Sequence, residues 1–297
     1  MKRLSLAICF IALFNLCNSC FATSAVFAGG PIYKERDTSL NELKKSGFDT
    51  LIVWTIHVHE DGSLNFNEEF PLVENGKYIG DNDYPHFRKD VASLKHDHSH
   101  INRIEFGLSA AGSPSYTNIK ALLTCPKKQR CDIKNNILYR NFMALKKAFP
   151  DVDAINNDDE TEFDLDSSVK FHNMLADIGF KSTIVPYSDQ SFWQQLVKKV
   201  NAHHPNALDR VYLQGYAGGT GNSPCDWDFG LPVSPGLSSN TSSVRGVYSA
   251  ISRWKLTCPK ITSGGFMWLY DNFENSSLPK SYADSITQAL DVITENK

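Results

Sequence analysis

Carboxylates crowd one short stretch of this 297-residue sequence: between Asp151 and Asp166, eight of sixteen residues are acidic. Within it, Asp153-Ala154-Ile155-Asn156-Asn157-Asp158-Asp159-Glu160 begins as a strand-like run and ends in acids at alternating positions. Side chains of an extended strand point to opposite faces with period two. Asn156, Asp158 and Glu160 therefore share one face, and Asp153, Ile155, Asn157 and Asp159 share the other. Two carboxyl groups two residues apart on one face can share a proton or a substrate group. One then stays ionised while its neighbour holds a proton more tightly, the division of labour that general acid catalysis needs near neutral pH.

The run admits blander readings. Acidic stretches are often solvated loops or helix starts. Counting from Asp151, the residues Asp153, Asn157, Asp159 and Glu162 fall at ligand positions of a calcium loop. Against that, Ile155 occupies a ligand position and Asn156 stands where the sharp turn of such a loop needs glycine. Neither a metal nor a cofactor is expected.

Eight strand candidates surround these residues: Ala25 to Gly29, Thr50 to His57, Ile104 to Ala110, Ala154 to Asp158, Ser182 to Pro186, Arg210 to Tyr216, a weak one from Leu231 to Leu237, and Gly265 to Tyr270. Helical patterns lie between them, at Leu40 to Lys45, Phe87 to His96, Asn135 to Phe149, Val169 to Ile178, Ser191 to Asn201, Val244 to Lys255 and Tyr282 to Thr294. Apolar strands such as Leu51-Ile52-Val53-Trp54 alternating with amphipathic helices predict a parallel sheet covered by helices. An open doubly wound sheet would show the same alternation. Strand count and length favour a single (β/α)8 TIM barrel, and Gly29-Gly30-Pro31 after the first strand cannot open a phosphate-binding helix. In a barrel the chemistry sits at the carboxyl ends of the strands, where the acidic run ends.

The first residues predict the compartment. Met1-Lys2-Arg3, the apolar run from Leu4 to Leu16 and the small residues around Ala22 read as a secretory signal peptide, too short to span a bilayer. Cleavage after Ala22, Ala25 or Ala28 is compatible with the pattern. Ala22 is preferred because the first strand follows, giving a leader over residues 1–22 and one domain over 23–297. Removal of Lys2 and Arg3 takes 30 basic residues to 28 against 33 acidic, a balance of −5. A mildly acidic secreted protein is a poor partner for nucleic acid or an anionic membrane surface, and a monomer is expected. Of seven cysteines, Cys125, Cys131, Cys225 and Cys258 remain after the leader. Their even number in an oxidising compartment allows three pairings, of which Cys125–Cys131 with Cys225–Cys258 is preferred over free thiols.

The spacing Asp-x-x-Asp-x-Asp-x-Glu resembles the signature of family 18 glycoside hydrolases, the chitinases and endo-β-N-acetylglucosaminidases, with Asn156 in place of the second Asp. Three further stretches resemble the family in chain order. Ser109-Ala110-Ala111-Gly112 is similar to the Ser-x-Gly-Gly after the third strand, Gln214-Gly215-Tyr216 to the Gln-x-Tyr ending the sixth, and Gly265-Phe266-Met267-Trp268 to the eighth. The resemblance implies a substrate carrying N-acetylglucosamine and a retaining mechanism in which the substrate's own acetamido carbonyl attacks, an exception among retaining glycosidases. It implies Glu160 as general acid, Asp158 as acceptor of the acetamido N–H, and Tyr216 as donor to the acetamido oxygen. Trp268 would lie beneath the sugar ring, with Gln214, Asn156, Asp153 and Ser109 contributing to substrate binding. The neutral amide at Asn156 departs from the family where an Asp helps handle the charge above it.

Two function classes stay open: a secreted hydrolase of β-1,4-linked N-acetylglucosamine, in chitin or in N-glycan cores, and a carbohydrate-binding protein on the same barrel without turnover. Retention of both Asp158 and Glu160 favours the enzyme. Weaker signals are His96-Asp97-His98-Ser99-His100, read as a solvated loop rather than a metal site; His57 and His59, which share a strand face; and Trp227, a sugar platform or a packed loop residue.

Overall fold

Strands whose outward and inward residues are both apolar form a sheet that needs cover on both sides, and here the sheet closes on itself. The computed structural model describes residues 23–96, 98–109, 113–124 and 132–292. Eight parallel barrel strands run β1 (Thr23–Ala28), β2 (Thr50–Val58), β3 (Arg103–Ser109), β4 (Ala154–Asp158), β5 (Lys181–Ile184), β6 (Leu208–Gln214), β7 (Val233–Ser238) and β8 (Gly264–Trp268). Each pairs with the next, and β1 pairs with both β2 and β8, closing the ring. The fold is the expected (β/α)8 barrel.

The helices are α1 (Pro31–Lys34), α2 (Arg36–Lys45), α3 (Phe87–Ser93), α4 (Ser115–Leu123), α5 (Ile137–Ala148), α6 (Leu165–Ile178), α7 (Gln190–His203), α8 (Val244–Thr257) and α9 (Leu278–Leu290). Outward side chains such as Leu51, Val53, Ile104, Phe106 and Ile155 pack beneath them in one large apolar layer. Inward residues Ala25, Phe27, Ile52, Trp54, Val185, Tyr212 and Phe266 fill the barrel itself.

Several boundaries differ from expectation for identifiable reasons. Helix α6 starts at Leu165 rather than Val169, because the Asp164 side chain accepts from the Ser167 N–H at 2.9 Å and caps the first turn. Strand β6 ends at Gln214 and β8 at Trp268, so Tyr216 and Tyr270 lie beyond their strands. The sequence reading omits α4 and an antiparallel excursion, Leu64–Phe66, Phe70–Glu74 and Lys77–Tyr78, that extends the sheet beyond β2.

The Cys225–Cys258 disulfide is present, tying the loop after β6 to the end of α8. Cys125 and Cys131, like the expected leader over residues 1–22, lie outside the described residues, as do Ala110, Ala111 and Gly112 of the stretch after β3. No described helix is long and apolar enough to cross a membrane.

Candidate active site

Strand β4 supplies the centre of the site. Ala154 and Ile155 are fully buried, and the strand is bonded on both sides, Ser109 of β3 standing in register with Asp158 and Ile184 of β5 with Asn157. Asn156 and Asp158 point into the barrel, as the period-two alternation requires, while Asn157 points outward and its amide meets the His172 ring at 2.8 Å.

Glu160 follows in the loop, held by its neighbour. The Asp159 carboxylate accepts three backbone N–H bonds, from Thr161 at 3.0 Å, Glu162 at 2.9 Å and Phe163 at 3.0 Å. Those bonds fix the turn that presents Glu160 over the barrel mouth and turn Asp159 away from it. A second anchor comes from α4, where Thr117 and Lys120 bind the Glu162 carboxylate at 2.9 and 2.5 Å.

Gln214, at the end of β6, joins the two acids. Its amide nitrogen lies 3.2 Å from Asp158 Oδ1, 3.2 Å from Glu160 Oε1 and 3.3 Å from the Val185 carbonyl. An amide carries two N–H donors, so these three acceptors share two hydrogens. Burial, reinforced by the neighbouring Glu160 and Asp159 charges, raises the Asp158 pKa well above the ordinary carboxylate range, and the Gln214 bond opposes the rise. Burial likewise raises the Tyr216 pKa, with Asp158 and Glu160 adding to it, so the phenol keeps its proton and can donate.

Aromatic rings make the floor. Trp268 stacks near-parallel with Tyr216 at 6.4 Å and meets Trp54 edge-on at 5.0 Å. Phe27 packs against both tryptophans. Gly107 on β3 makes room for this layer, since a Cβ there would stand 2.5 Å from Trp54 Cε3.

Below the acids lies a buried polar network that the sequence reading passed over. Glu105 on β3 is fully buried. It accepts from Thr183 Oγ1 at 2.6 Å, Arg103 Nε at 2.6 Å and Tyr212 OH at 3.0 Å, and the Arg103 guanidinium also donates two hydrogen bonds to the Asp209 carboxylate, at 2.9 and 2.8 Å. Asn156 joins this network, donating to Thr183 Oγ1 at 2.8 Å and standing 3.4 Å from Glu105 Oε2. A carboxylate at 156 would stand beside the Glu105 carboxylate on the neighbouring strand, so a neutral amide suits this network. Tyr116 of α4 was also missed: its hydroxyl accepts the Asp158 N–H at 2.9 Å and donates to the Leu108 carbonyl at 2.7 Å, fixing the end of β4. The signal for Glu105 was available, as Arg103, Glu105 and Ser109 alternate with Ile104, Phe106 and Leu108.

Asp158, Glu160, Gln214, Tyr216, Trp268, Asn156 and Ser109 thus gather at the carboxyl end of the barrel or on its inner wall. Asp153 does not join them. It precedes β4, at the far end of the strand from Glu160, where Lys95 holds its carboxylate at 2.9 Å and the Ile104 N–H donates to it at 2.9 Å. Trp227 is buried against Phe229 as a packed loop residue. His96 and His100 are surface side chains, next to Asp151 and the Lys44 carbonyl, and Asp97 lies outside the described residues. Among the described residues no group of three or more His, Cys, Asp and Glu side chains is arranged to hold a metal ion.

No protein-family model matches the chain, and no curated protein matches its sequence. Solved structures do match its fold. A chitinase from Bacteroides thetaiotaomicron superposes with a TM-score of 0.59 at 12% identity, over 91% of this chain and 97% of that one. The group IV chitinase of Ostrinia furnacalis gives 0.57 at 10% identity, over 91% and 99%. The GH18 chitinase ChiB of Flavobacterium johnsoniae gives 0.56 at 10% identity, over 89% and 94%. The chain has the barrel fold of the family 18 chitinases.

Proposed function

We propose that the protein is a secreted glycoside hydrolase that cleaves β-1,4 linkages of N-acetylglucosamine chains, chitin-like or in N-glycan cores, with retention of configuration and assistance from the substrate. The observation that carries this reading is the pair Asp158 and Glu160, bridged by one Gln214 amide above an aromatic floor. The chitinase folds that resemble the barrel support the substrate class, and the Met1 to Ala22 sequence supports secretion; the chain is taken to act as a monomer.

In this mechanism Glu160 protonates the glycosidic oxygen as the bond from that oxygen to the anomeric carbon breaks. The acetamido carbonyl oxygen attacks the same carbon and closes a ring. Asp158 accepts the acetamido N–H and stabilises its developing positive charge, while Tyr216 donates to the acetamido oxygen. The Glu160 carboxylate then takes a proton from water, whose oxygen opens the ring from the face the leaving group vacated. Two inversions give net retention. The raised pKa of Asp158, caused first by burial, fits a group whose ionised form a developing positive charge beside it would stabilise. Trp268 offers an apolar face to the sugar's axial hydrogens.

A binding protein without turnover is the competing reading, favoured by the amide at Asn156. Product analysis separates the two: chitin oligosaccharides and a high-mannose glycopeptide are incubated side by side with wild type and Glu160→Gln. Wild type should release shorter products from one of them, and the variant should be slower by about 10²- to 10⁴-fold. Binding with no product from either substrate would favour the lectin-like reading.

A further inference from the structure

Strand β4 turns two side chains outward beneath the helices, and only one of them suits that apolar layer. Ile155 is aliphatic, Asn157 is an amide, and both are fully buried. Against Asn157, α6 brings His172, also fully buried and flanked on its own helix by Phe171, Met174 and Leu175. A polar pair in an apolar layer between strand and helix calls for a reason. The mechanism above uses neither residue.

The hydrogen bonds of the pair fix each other's direction. The Asp159 N–H donates at 2.9 Å to Asn157 Oδ1. A backbone N–H can only donate, so that bond settles which end of the amide is oxygen. It leaves Nδ2, which also can only donate, against His172 Nε2 at 2.8 Å. Nε2 must then accept, and the ring carries its N–H hydrogen on Nδ1. Burial lowers the His172 pKa to about 3, which keeps the ring in this neutral form. The arrangement is costly, because the buried Nδ1 has no hydrogen-bond partner among the described residues. An aliphatic side chain at 172 would fill the layer without an unpaired N–H. What the histidine secures instead is the direction of the Asn157 oxygen.

That oxygen holds the turn that carries Glu160. Asn157 grips the chain just before Glu160 through the Asp159 N–H, and the Asp159 carboxylate grips the three N–H groups just after it, from Thr161, Glu162 and Phe163. Glu160 therefore stands between two fixed points, and the first of them is set from α6. We propose that His172 and Asn157 are positioning residues for proton delivery, holding the turn from which Glu160 reaches the glycosidic oxygen. This rests on the glycosidase reading and adds to it two groups that touch no substrate. Releasing the turn should harm the step that needs the proton, since a misplacement of about 1 Å can cost up to about 100-fold in rate while the fold persists.

The test compares wild type, His172→Leu and His172→Gln on two substrates, an N-acetylglucosamine tetramer and a chitobioside of 2,4-dinitrophenol. A sugar needs a proton from Glu160 to leave, whereas dinitrophenolate leaves as a stable anion without one. The measured quantity is kcat/KM, with melting temperature as a check on folding. His172→Leu should lose about 10- to 100-fold on the tetramer and less than about threefold on the dinitrophenyl substrate. The carbonyl oxygen of His172→Gln can accept from Asn157 Nδ2, so this variant should stay within about threefold of wild type on both. Equal losses of His172→Leu on the two substrates, no loss on either, or a His172→Gln as slow as His172→Leu overturns the positioning role and leaves the glycosidase reading intact. A wild type that turns over neither substrate overturns both. Should His172→Leu fail to fold, Asn157→Leu, of nearly the same shape as the native side chain, carries the same comparison of substrates.

Discussion

Replacing Gln214 by Met keeps the side chain's length and removes its N–H donors, so it isolates the bridge between the two acids. In the folded protein two amide hydrogens serve Asp158, Glu160 and the Val185 carbonyl. A hydrogen bond to a charged group contributes about 1.5–3 kcal/mol. Losing one such bond from the reacting arrangement should lower kcat/KM by about 10- to 150-fold. The direction of the pH effect follows as well. Gln214 opposes the rise of the Asp158 pKa, so without it that pKa climbs further and the acid limb of the kcat/KM profile moves toward alkaline pH. The assay is the pH–rate profile of both proteins on one soluble N-acetylglucosamine oligosaccharide, with melting temperature as a check on folding. A folded Gln214→Met variant whose acid limb stays in place, or moves toward acid, would refute the bridge.

Asp158→Asn should abolish most turnover yet raise the melting temperature at neutral pH. The folded pKa of Asp158 lies above its unfolded value, so wild type gains relative stability at low pH and loses it as pH rises through the folded pKa, whereas Asn does not titrate. Melting curves of the two proteins should therefore diverge at neutral pH and converge below the ordinary carboxylate range; the opposite trend would contradict the burial of an uncompensated charge. The Cys225–Cys258 bond spans 33 positions, and its removal by a Cys225→Ser, Cys258→Ser double variant should cost about 3–4 kcal/mol in denaturant unfolding if loop entropy dominates.

Where sequence and structure agree, one period decides the outcome. Ala154–Asp158 is a strand over the predicted residues because two apolar residues start it and its inward and outward sets both find partners. The same alternation brings Asn156 and Asp158 inward and carries Gln214 to them from β6. It fails at β2, where the register break after Val53 reverses the faces, an event that Trp54-Thr55 does not announce in residue type. Asp153 was misjudged because shared motif membership says nothing of position along a strand; it sits at the end away from the site. Tyr116 was out of reach because its role depends on a contact between α4 and the end of β4, 42 positions away, which no local pattern marks. The excursion at 64–78 consists of strands of three, five and two residues, too short to carry a period.

In the proposed mechanism Glu160 delivers the proton while the substrate's acetamido group, placed by Asp158 and Tyr216, attacks. Proton NMR of the anomeric signals, recorded in the first minutes after wild type meets a β-linked N-acetylglucosamine oligosaccharide, tests it most directly. The β-anomer should appear first and equilibrate to α only by later mutarotation. An initial α-anomer would mean inversion, and it would contradict the substrate-assisted mechanism.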